Sequence, residues 1–336
     1  MAESELGEAI RFLRTAFGVG ESHRMFQADV LRWKCFVPHP FWEGSRGYAL
    51  RYQGEIAAFG CVVPCRFLTG VGTVSSCNVI DWAASKAVPG AGIMLYRHIH
   101  GIAGAMINIG GTADACNVLP KIGFHVRAER HRYARVLHPW LHFRRARRDW
   151  KSPLRLVRDL RELGRALRDP GQALTARRVN SFDGAPPEVF PDPSVTRQVV
   201  CARTPELLGY FLACPAAKME AYLLERDHSP VGYFLLSRVA CQRRIADLWI
   251  HSPDGHAWTE AYATATATAR ADPQISEVTA AVSWPLAASA LQQVGYRRTH
   301  AEPVFVLDPD RRLGDRNDLA LSLLENDGYY WNGTDT

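Results

Sequence analysis

The chain has 336 residues, of which 47% are hydrophobic and 22% are charged, and its formal net charge is +6. This length fits two domains better than one, and the composition is that of a soluble globular protein rather than of a disordered or membrane-spanning chain. The eight cysteines form no CxxC pair and no Cys/His metal spacing. We therefore expect reduced thiols in a cytoplasm and no structural zinc.

The first half predicts helices and a β-hairpin. The segment MAESELGEAIRFLRTAF carries acids and a helical period, so we expect a helix there and not a secretory signal. The aromatic run RWKCFVPHP (32–40) precedes GYALRYQGEIAAFGCVV (47–63), which alternates on both sides of Gln53-Gly54. That alternation predicts two antiparallel strands joined by a tight turn.

A strand-to-helix junction follows the hairpin. Residues 78–82 are β-like and include the acidic Asp81, and a helix opens through Gly90-Ala91-Gly92. Glycines at such a junction let bare backbone approach a ligand, and the first N–H groups of a helix favour anions. An isolated Gly-x-Gly is also explained by a tight turn with close helix–sheet packing.

The middle of the chain is strongly basic. Residues 140–180 hold eleven Arg and one Lys against four acidic residues. Ser152 can cap a helix that carries a stripe of Leu156, Leu160, Leu163 and Leu167 and ends at Asp169-Pro170-Gly171. We interpret it as a linker helix whose leucines dock on the flanking domains. Contact with a membrane surface or with RNA stays open.

The second half repeats the first. A second hairpin (220–239) turns at Asp227-His228-Ser229, and IADLWIH (245–251) matches VIDWAA (79–84). Each half then shows a helix, a strand, a helix and a Gly-aromatic pair. A repeat of about 170 residues predicts an α/β (α+β) fold with two tandem copies, each a mixed, mainly antiparallel sheet flanked by helices. We place the copies at 1–139 and 181–336, joined by 140–180.

The hairpin, the strand running into a Gly-x-Gly helix start and the tail PKIGF (120–124) resemble the GCN5-related N-acetyltransferase (GNAT) superfamily. The resemblance covers residues 25–135 well and 195–308 more loosely. Through WK…HP, Pro64-Cys65 and IDWAAS, the first half also resembles acetyltransferase-like proteins of bacterial polysaccharide clusters.

The resemblance implies acetyl-CoA or another acyl-CoA as co-substrate, and no metal. The pyrophosphate of the acyl-CoA would lie on the glycine loop, and its pantetheine arm would lie along the preceding strand. The matching cofactor positions are Ile80, Trp82, Ala87, Val88, Gly90, Ala91, Gly92, Ile93 and Asn117. The family motif carries Gln or Arg where this chain has Ala87, which puts the tightness of binding in doubt.

Asp81 is our candidate general base, since an amine must lose a proton to attack a thioester. Strand alternation predicts that Asp81 shares a face with Cys77 and Val79, where bases of the family lie. A carboxylate that only hydrogen-bonds the loop is the alternative. The position of the family's general-acid tyrosine is Leu119 here. Another donor or water would protonate the leaving thiolate, or no donor is needed because that thiol is already fairly acidic.

For the acceptor, we expect Trp33 and Trp42 to bind substrate in a cleft that also includes Lys34, Phe41 and Trp82. Aromatic faces suit a sugar ring, so a sugar or sugar-like amine is the predicted acceptor. The second copy has SPDGHAW (252–258) in place of the glycine loop. We therefore expect it to complete the cleft without binding CoA.

The sequence thus predicts a cytoplasmic acyl-CoA-dependent N-acyltransferase of GNAT type with a small-molecule acceptor. We expect no nucleic-acid partner, and weak contact of residues 140–170 with a membrane surface stays open. Two alternatives remain: a Fem-type transferase that uses aminoacyl-tRNA, which would give the arginines a role, and a non-catalytic GNAT-like scaffold.

Overall fold

The computed structural model describes residues 1–145, 152–166, 174–196, 198–314 and 319–331. The first copy contains α1 (Leu6–Phe17), α2 (Ala28–Cys35), β1 (Gly47–Tyr52), β2 (Glu55–Thr69), β3 (Gly72–Ala84), α3 (Ala91–Ala103), β4 (Ala105–Ile109), α4 (Ala113–Val118) and β5 (His125–Val136). The connecting segment contains α5 (Pro139–Arg145), α6 (Ser152–Ala166) and β6 (Thr175–Val179).

The second copy repeats this order. It contains α7 (Pro193–Thr196), β7 (Val199–Cys201), α8 (Pro205–Leu212), β8 (Lys218–Arg226), β9 (Ser229–Val239), β10 (Gln242–Ile250), α9 (Gly255–Arg270), β11 (Glu277–Val282), α10 (Pro285–Gln293), β12 (Arg297–Leu307) and β13 (Leu319–Ala320). The predicted hairpins are β1–β2 and β8–β9. Both residues of each two-residue turn, Gln53-Gly54 and Asp227-His228, have positive φ, as turns that match the twist of paired strands require.

All strands described belong to one sheet. Its order is β13-β7-β2-β3-β4-β12-β5-β11-β10-β9-β8-β6, and β1 pairs with β2. The two copies therefore share a continuous layer of hydrogen bonds and do not form separate sheets.

The last strands of the two copies are exchanged. In a simple repeat β5 would pair with β4, and β12 with β11. Instead β12 pairs with β4, with Val304 opposite Ile109, and β5 lies between β12 and β11. The division at 1–139 and 181–336 therefore describes the sequence repeat, while each half of the sheet contains a strand of the other copy.

The segment predicted as a linker contributes to the fold. Its β6 pairs with β8 at one end of the sheet. The helix α6 is present where predicted, and of its described side chains Leu160 is 52% exposed and Asp159 is 3% exposed. Asp159 pairs with Arg297 of β12 and with His142 of α5, so polar contacts connect this helix to both elements. The predicted stop at 169–171 lies outside the described residues.

Apolar clusters line both faces of the first copy's sheet. On one face β3 packs against α3 through Val79, Leu95 and Ile99. On the other face α1, α2 and α8 pack together with the C-terminal segment 319–331. None of the helices in the described ranges has both the length and the apolar character that a membrane span requires.

Candidate functional site

The strands β3 and β4 separate part-way along their length. Their parallel pairing covers Ser76 to Asn78 opposite Ala105 to Ile107, and β3 then continues unpaired on this side to Ala84. Tyr96 of α3 lies beside the opening and donates from its hydroxyl to Asn108 Oδ1 at 2.7 Å. The gap exposes backbone of β3 next to the start of α3.

A β-bulge in β3 decides which way the acidic side chain points. Phe59 pairs with Ala83 and Cys61 pairs with Ile80, so Asp81 and Trp82 together oppose Gly60. Asp81 takes a left-handed conformation with φ of 53°, which a bulge residue can adopt at a cost of a few kcal/mol at most.

The bulge breaks the alternation expected from the sequence. Trp82 packs on α3, with its Nε1 donating to Gly92 O at 3.2 Å, so it shares the face of Cys77 and Val79. Asp81 instead lies on the opposite face, beside α2. The expected grouping of Asp81 with Cys77 is therefore wrong, because strict alternation holds only without the extra residue.

Asp81 forms a buried ion pair with Lys34. Lys34 Nζ lies 2.8 Å from Asp81 Oδ2, and the two side chains are 2% and 4% exposed. Burial acts to lower the pKa of Lys34, but the carboxylates of Asp81 and Asp327 outweigh it and raise that pKa. Asp327 itself has a raised pKa, chiefly through burial and then through the charge of Asp81. Lys34 therefore carries its positive charge between two acids.

The glycine loop uses some of its N–H groups internally. Val88 N–H donates to Ser85 O and Ala91 N–H to Val88 O, both at 3.2 Å, and Ala87 N–H donates to Ser85 Oγ. The N–H groups predicted at Ala87, Val88 and Ala91 are thus occupied. Those of Gly90, Gly92 and Ile93 have no acceptor among the residues that the structure describes, and they stand at the positive end of α3.

The two glycines of the loop serve different purposes. Gly90 has φ of 85°, and a Cβ placed there would meet nothing within 4 Å. A Cβ on Gly92 would lie 3.1 Å from Trp82 Nε1 and 3.2 Å from Ala84 Cβ. Gly90 therefore borders open space, whereas Gly92 is explained by close packing of α3 on β3.

A narrow cavity lies on the Asp81 side of the sheet. Its enclosed volume is about 20 Å³, and the 300 Å³ of empty space around it includes open solvent at the mouth. The enclosed part has room for about one water molecule. The lining residues come from α2, β2, β3, α8 and the C-terminal segment: Trp33, Lys34, His39, Cys61, Val62, Val63, Pro64, Ile80, Tyr210, Phe211, Asn326, Tyr329 and Tyr330. Ile80, which precedes the bulge, lines this cavity, and the bulge lies in the part of β3 that is no longer paired with β4.

The structure separates the two tryptophans predicted to bind substrate. Trp33 lines the cavity and stacks on Tyr210 with ring centroids 4.8 Å apart. Trp42, like Tyr48 and Trp82, packs against the apolar cluster on the α3 side. Asn117 is exposed on α4, and Cys77 is fully buried, which raises the pKa of its thiol to about 12.

The C-terminal segment was not anticipated as part of this site. Arg130, which is fully buried, donates to Ser322 O and to Asn326 Oδ1. Asn78 Nδ2 donates to Glu325 O at 2.8 Å. These contacts hold residues 322–330 against the first copy, more than 190 positions along the chain from Arg130. The run NDGYYW carries no motif that would have indicated this placement.

The second copy has a similar opening with different residues around it. Its β10 pairs with β11 only as far as Ile245. The ring of Trp258, which is fully buried, packs edge-on against Trp249 and Trp284 at 5.5 and 5.8 Å. Asp254 places its carboxylate at the start of α9 and accepts from His256 N–H. An anion therefore stands at the helix start of the second copy, where the first copy has Gly90.

No cluster of three or more metal-ligating side chains occurs within the described ranges.

No protein-family model and no curated protein matches the sequence. Solved structures do match the fold. A GCN5-related N-acetyltransferase from Anabaena variabilis superposes with a TM-score of 0.58 at 12% identity, over 91% of this chain and 70% of that chain. The chain has a GNAT fold.

Two further solved structures share the GNAT fold with this chain. A GCN5-related N-acetyltransferase from Kribbella flavida has a TM-score of 0.55 at 15% identity, covering 94% of this chain and 73% of that one. The N-myristoyltransferase of Saccharomyces cerevisiae, solved with bound myristoyl-CoA, has a TM-score of 0.59 at 11% identity, covering 91% and 77%. The expected fold class is confirmed, although these identities establish the fold alone.

Proposed function

We propose that this chain is an acyl-CoA-dependent N-acyltransferase that works in its first copy. The observation that carries the proposal is the β3–β4 opening, which leads to a helix start whose Gly90, Gly92 and Ile93 N–H groups have no acceptor among the described residues. Such a start binds phosphate without side chains. The acetyl-CoA pyrophosphate would lie there, with the pantetheine arm along β3 beside Ile80 and Trp82.

The acceptor amine would approach from the face of β3 on which Asp81 lies. Its nitrogen would attack the thioester carbonyl carbon near the bulge, the C–S bond would break, and CoA would leave as a thiolate that takes up a proton from water or another donor. The amine must lose one proton, and the Asp81 carboxylate is the group we propose to receive it, directly or through water. Lys34 would hold that carboxylate in place through Oδ2.

Calorimetry with acetyl-CoA, myristoyl-CoA and uncharged or charged tRNA tests the proposal. We expect an acyl-CoA to bind, and Gly90→Glu to abolish the binding because it places bulk and negative charge beside the phosphates. Gly18→Glu is the matched control, since Gly18 also has positive φ and open space around it but ends α1. Binding of aminoacyl-tRNA without acyl-CoA would instead support a Fem-type transferase, and binding of neither would support a scaffold.

A further inference from the structure

The helix α6 presents apolar side chains to solvent. Leu154 and Val157 are each 65% exposed, and Leu160 is 52% exposed. Their spacing of three residues places them in one strip along the helix. The opposite side of the helix faces the protein, since Ser152 and Asp159, seven residues apart, are 6% and 3% exposed. The strip therefore belongs to the outer face of α6 and not to the core.

Exposed apolar residues are concentrated on this helix. Twelve large apolar side chains are exposed in the described parts of the chain, and three of them lie between Leu154 and Leu160. A single exposed leucine needs no explanation, whereas several along one strip mark a surface that contacts something apolar. The outer face of α6 is therefore a candidate contact surface.

Positive charge runs beside the apolar strip. Every third position of the helix also carries an exposed arginine: Arg155, Arg158 and Arg161. The one acid among residues 152–161 is Asp159, which is buried on the opposite side. In the sequence around the helix, residues 140–180, eleven Arg and one Lys stand against four acids, a net charge of +8. The outer face of α6 thus combines apolar and cationic surface.

This combination selects one kind of partner. A second copy of α6 would bring its own arginines against these, so like charges oppose self-association. A nucleic acid would match the arginines through its phosphates but would leave the strip of leucine and valine side chains in water. The surface of a bilayer that contains anionic lipids satisfies both, because apolar side chains enter the acyl boundary while arginines reach the lipid phosphates.

We propose that the outer face of α6 binds the surface of a membrane that contains anionic lipids, with Leu154, Val157 and Leu160 at the boundary between headgroups and acyl chains. The chain would lie on the membrane through this helix, since no helix in the described ranges has the length and apolar character of a span. The surface does not depend on the proposed acyltransferase function, because α6 contributes no residue to the candidate site.

Co-sedimentation of the full-length protein with phospholipid vesicles tests the proposal. One set of vesicles contains equal parts of phosphatidylcholine and phosphatidylglycerol, and the other contains phosphatidylcholine alone. We expect binding to the first set at millimolar lipid and at least about tenfold weaker binding to the second, because each arginine near an anionic surface contributes about fivefold. Failure to sediment with the anionic vesicles, or equal sedimentation with both sets, would overturn the proposal.

Two double variants locate the contact. Leu154→Gln/Val157→Thr removes apolar surface with residues of similar size and helix propensity. Met94→Gln/Ile102→Thr makes the same kind of change on α3, where both side chains are also exposed. We expect the first to weaken binding to anionic vesicles at least about tenfold and the second to leave it unchanged, with both folded by circular dichroism. No loss in the first, or equal loss in both, would refute the α6 surface.

Two further measurements distinguish the membrane from other partners. Filter binding with a single-stranded RNA of mixed sequence tests a nucleic acid, and analytical ultracentrifugation of the parent and of Leu154→Gln/Val157→Thr tests a second copy. We expect vesicle binding to exceed RNA binding and the association state to be the same in both proteins. RNA binding without vesicle binding would assign the arginines to a nucleic acid. Self-association that the variant loses, without vesicle binding by the parent, would assign the strip to a second copy, and either result overturns the proposal.

Discussion

Lys34 Nζ and Asp81 Oδ2 lie 2.8 Å apart with both side chains almost completely buried. The pair joins α2 to the bulge of β3, so it connects the wall of the cavity to the part of β3 that is no longer paired with β4. Breaking a buried ion pair from one side leaves an uncompensated charge, which costs about 3–5 kcal/mol. The pair therefore holds the geometry of the bulge.

This pair yields a stability prediction. Lys34→Met should lower the free energy of unfolding by about 3–5 kcal/mol because it strands the Asp81 carboxylate near Asp327. The double variant Lys34→Met/Asp81→Asn should be less destabilised than the sum of the single variants. Urea denaturation of the four proteins gives the coupling energy, and strict additivity would show that the two side chains do not interact.

A second prediction concerns the chemical role of Asp81. If its carboxylate takes the proton of the amine, Asp81→Asn should lower kcat by about 10²–10⁴-fold with little change in acetyl-CoA affinity. Steady-state kinetics and calorimetry on the same folded preparation measure both quantities. Loss of cofactor binding together with loss of the fold would assign Asp81 a structural role only.

The two loop glycines should respond differently to substitution. Gly90→Glu should abolish acetyl-CoA binding while the melting temperature falls only as far as in Gly18→Glu, since both positions have positive φ. Gly92→Glu should destabilise the fold as well, because its side chain would meet Trp82 and Ala84. Thermal melts with and without acetyl-CoA check this. If the Gly90→Glu protein binds acetyl-CoA normally, the loop is only a turn and does not bind phosphate.

We also expect one CoA site per chain, in the first copy. Asp254 already caps α9, and the buried Trp258 packs against Trp249 of β10. Calorimetric titration should therefore give a stoichiometry of one. A value of two, or CoA found in the second copy alone, would contradict this division of the copies.

His39 predicts a pH dependence of stability. Burial, and then the charge of Arg46, lower the pKa of His39 to about 3. A group whose folded pKa is depressed stabilises the protein above its unfolded pKa, here 6.5, and this contribution is lost as the pH falls toward the folded value of about 3. Relative to His39→Gln, the parent should lose up to about 1.4 kcal/mol per pH unit below pH 6.5. Urea titrations of both proteins between pH 7 and pH 4 measure the difference in their free energies of unfolding. If that difference does not change with pH, the imidazole of the folded protein protonates freely.

The element order could be predicted from the sequence alone. Alternation, tight turns and glycine positions are local signals, and they placed the hairpins β1–β2 and β8–β9, the strand containing residues 78–82, and the helix opening at Ala91. The degenerate loop of the second copy was also visible, because replacing glycines with Asp254 and Trp258 changes the local chemistry directly.

Only the tertiary structure determined the features that depend on contacts between residues distant in the chain. The alternation of polar and apolar residues in β5 and β12 is the same whichever strand each one pairs with, so periodicity cannot reveal that the two strands are exchanged. A single extra residue in β3 moved Asp81 to the face opposite Cys77, and strict alternation could not foresee it. The cavity forms only where α2, α8 and residues 326–330 meet, since a binding site made from distant segments exists only once the chain has packed.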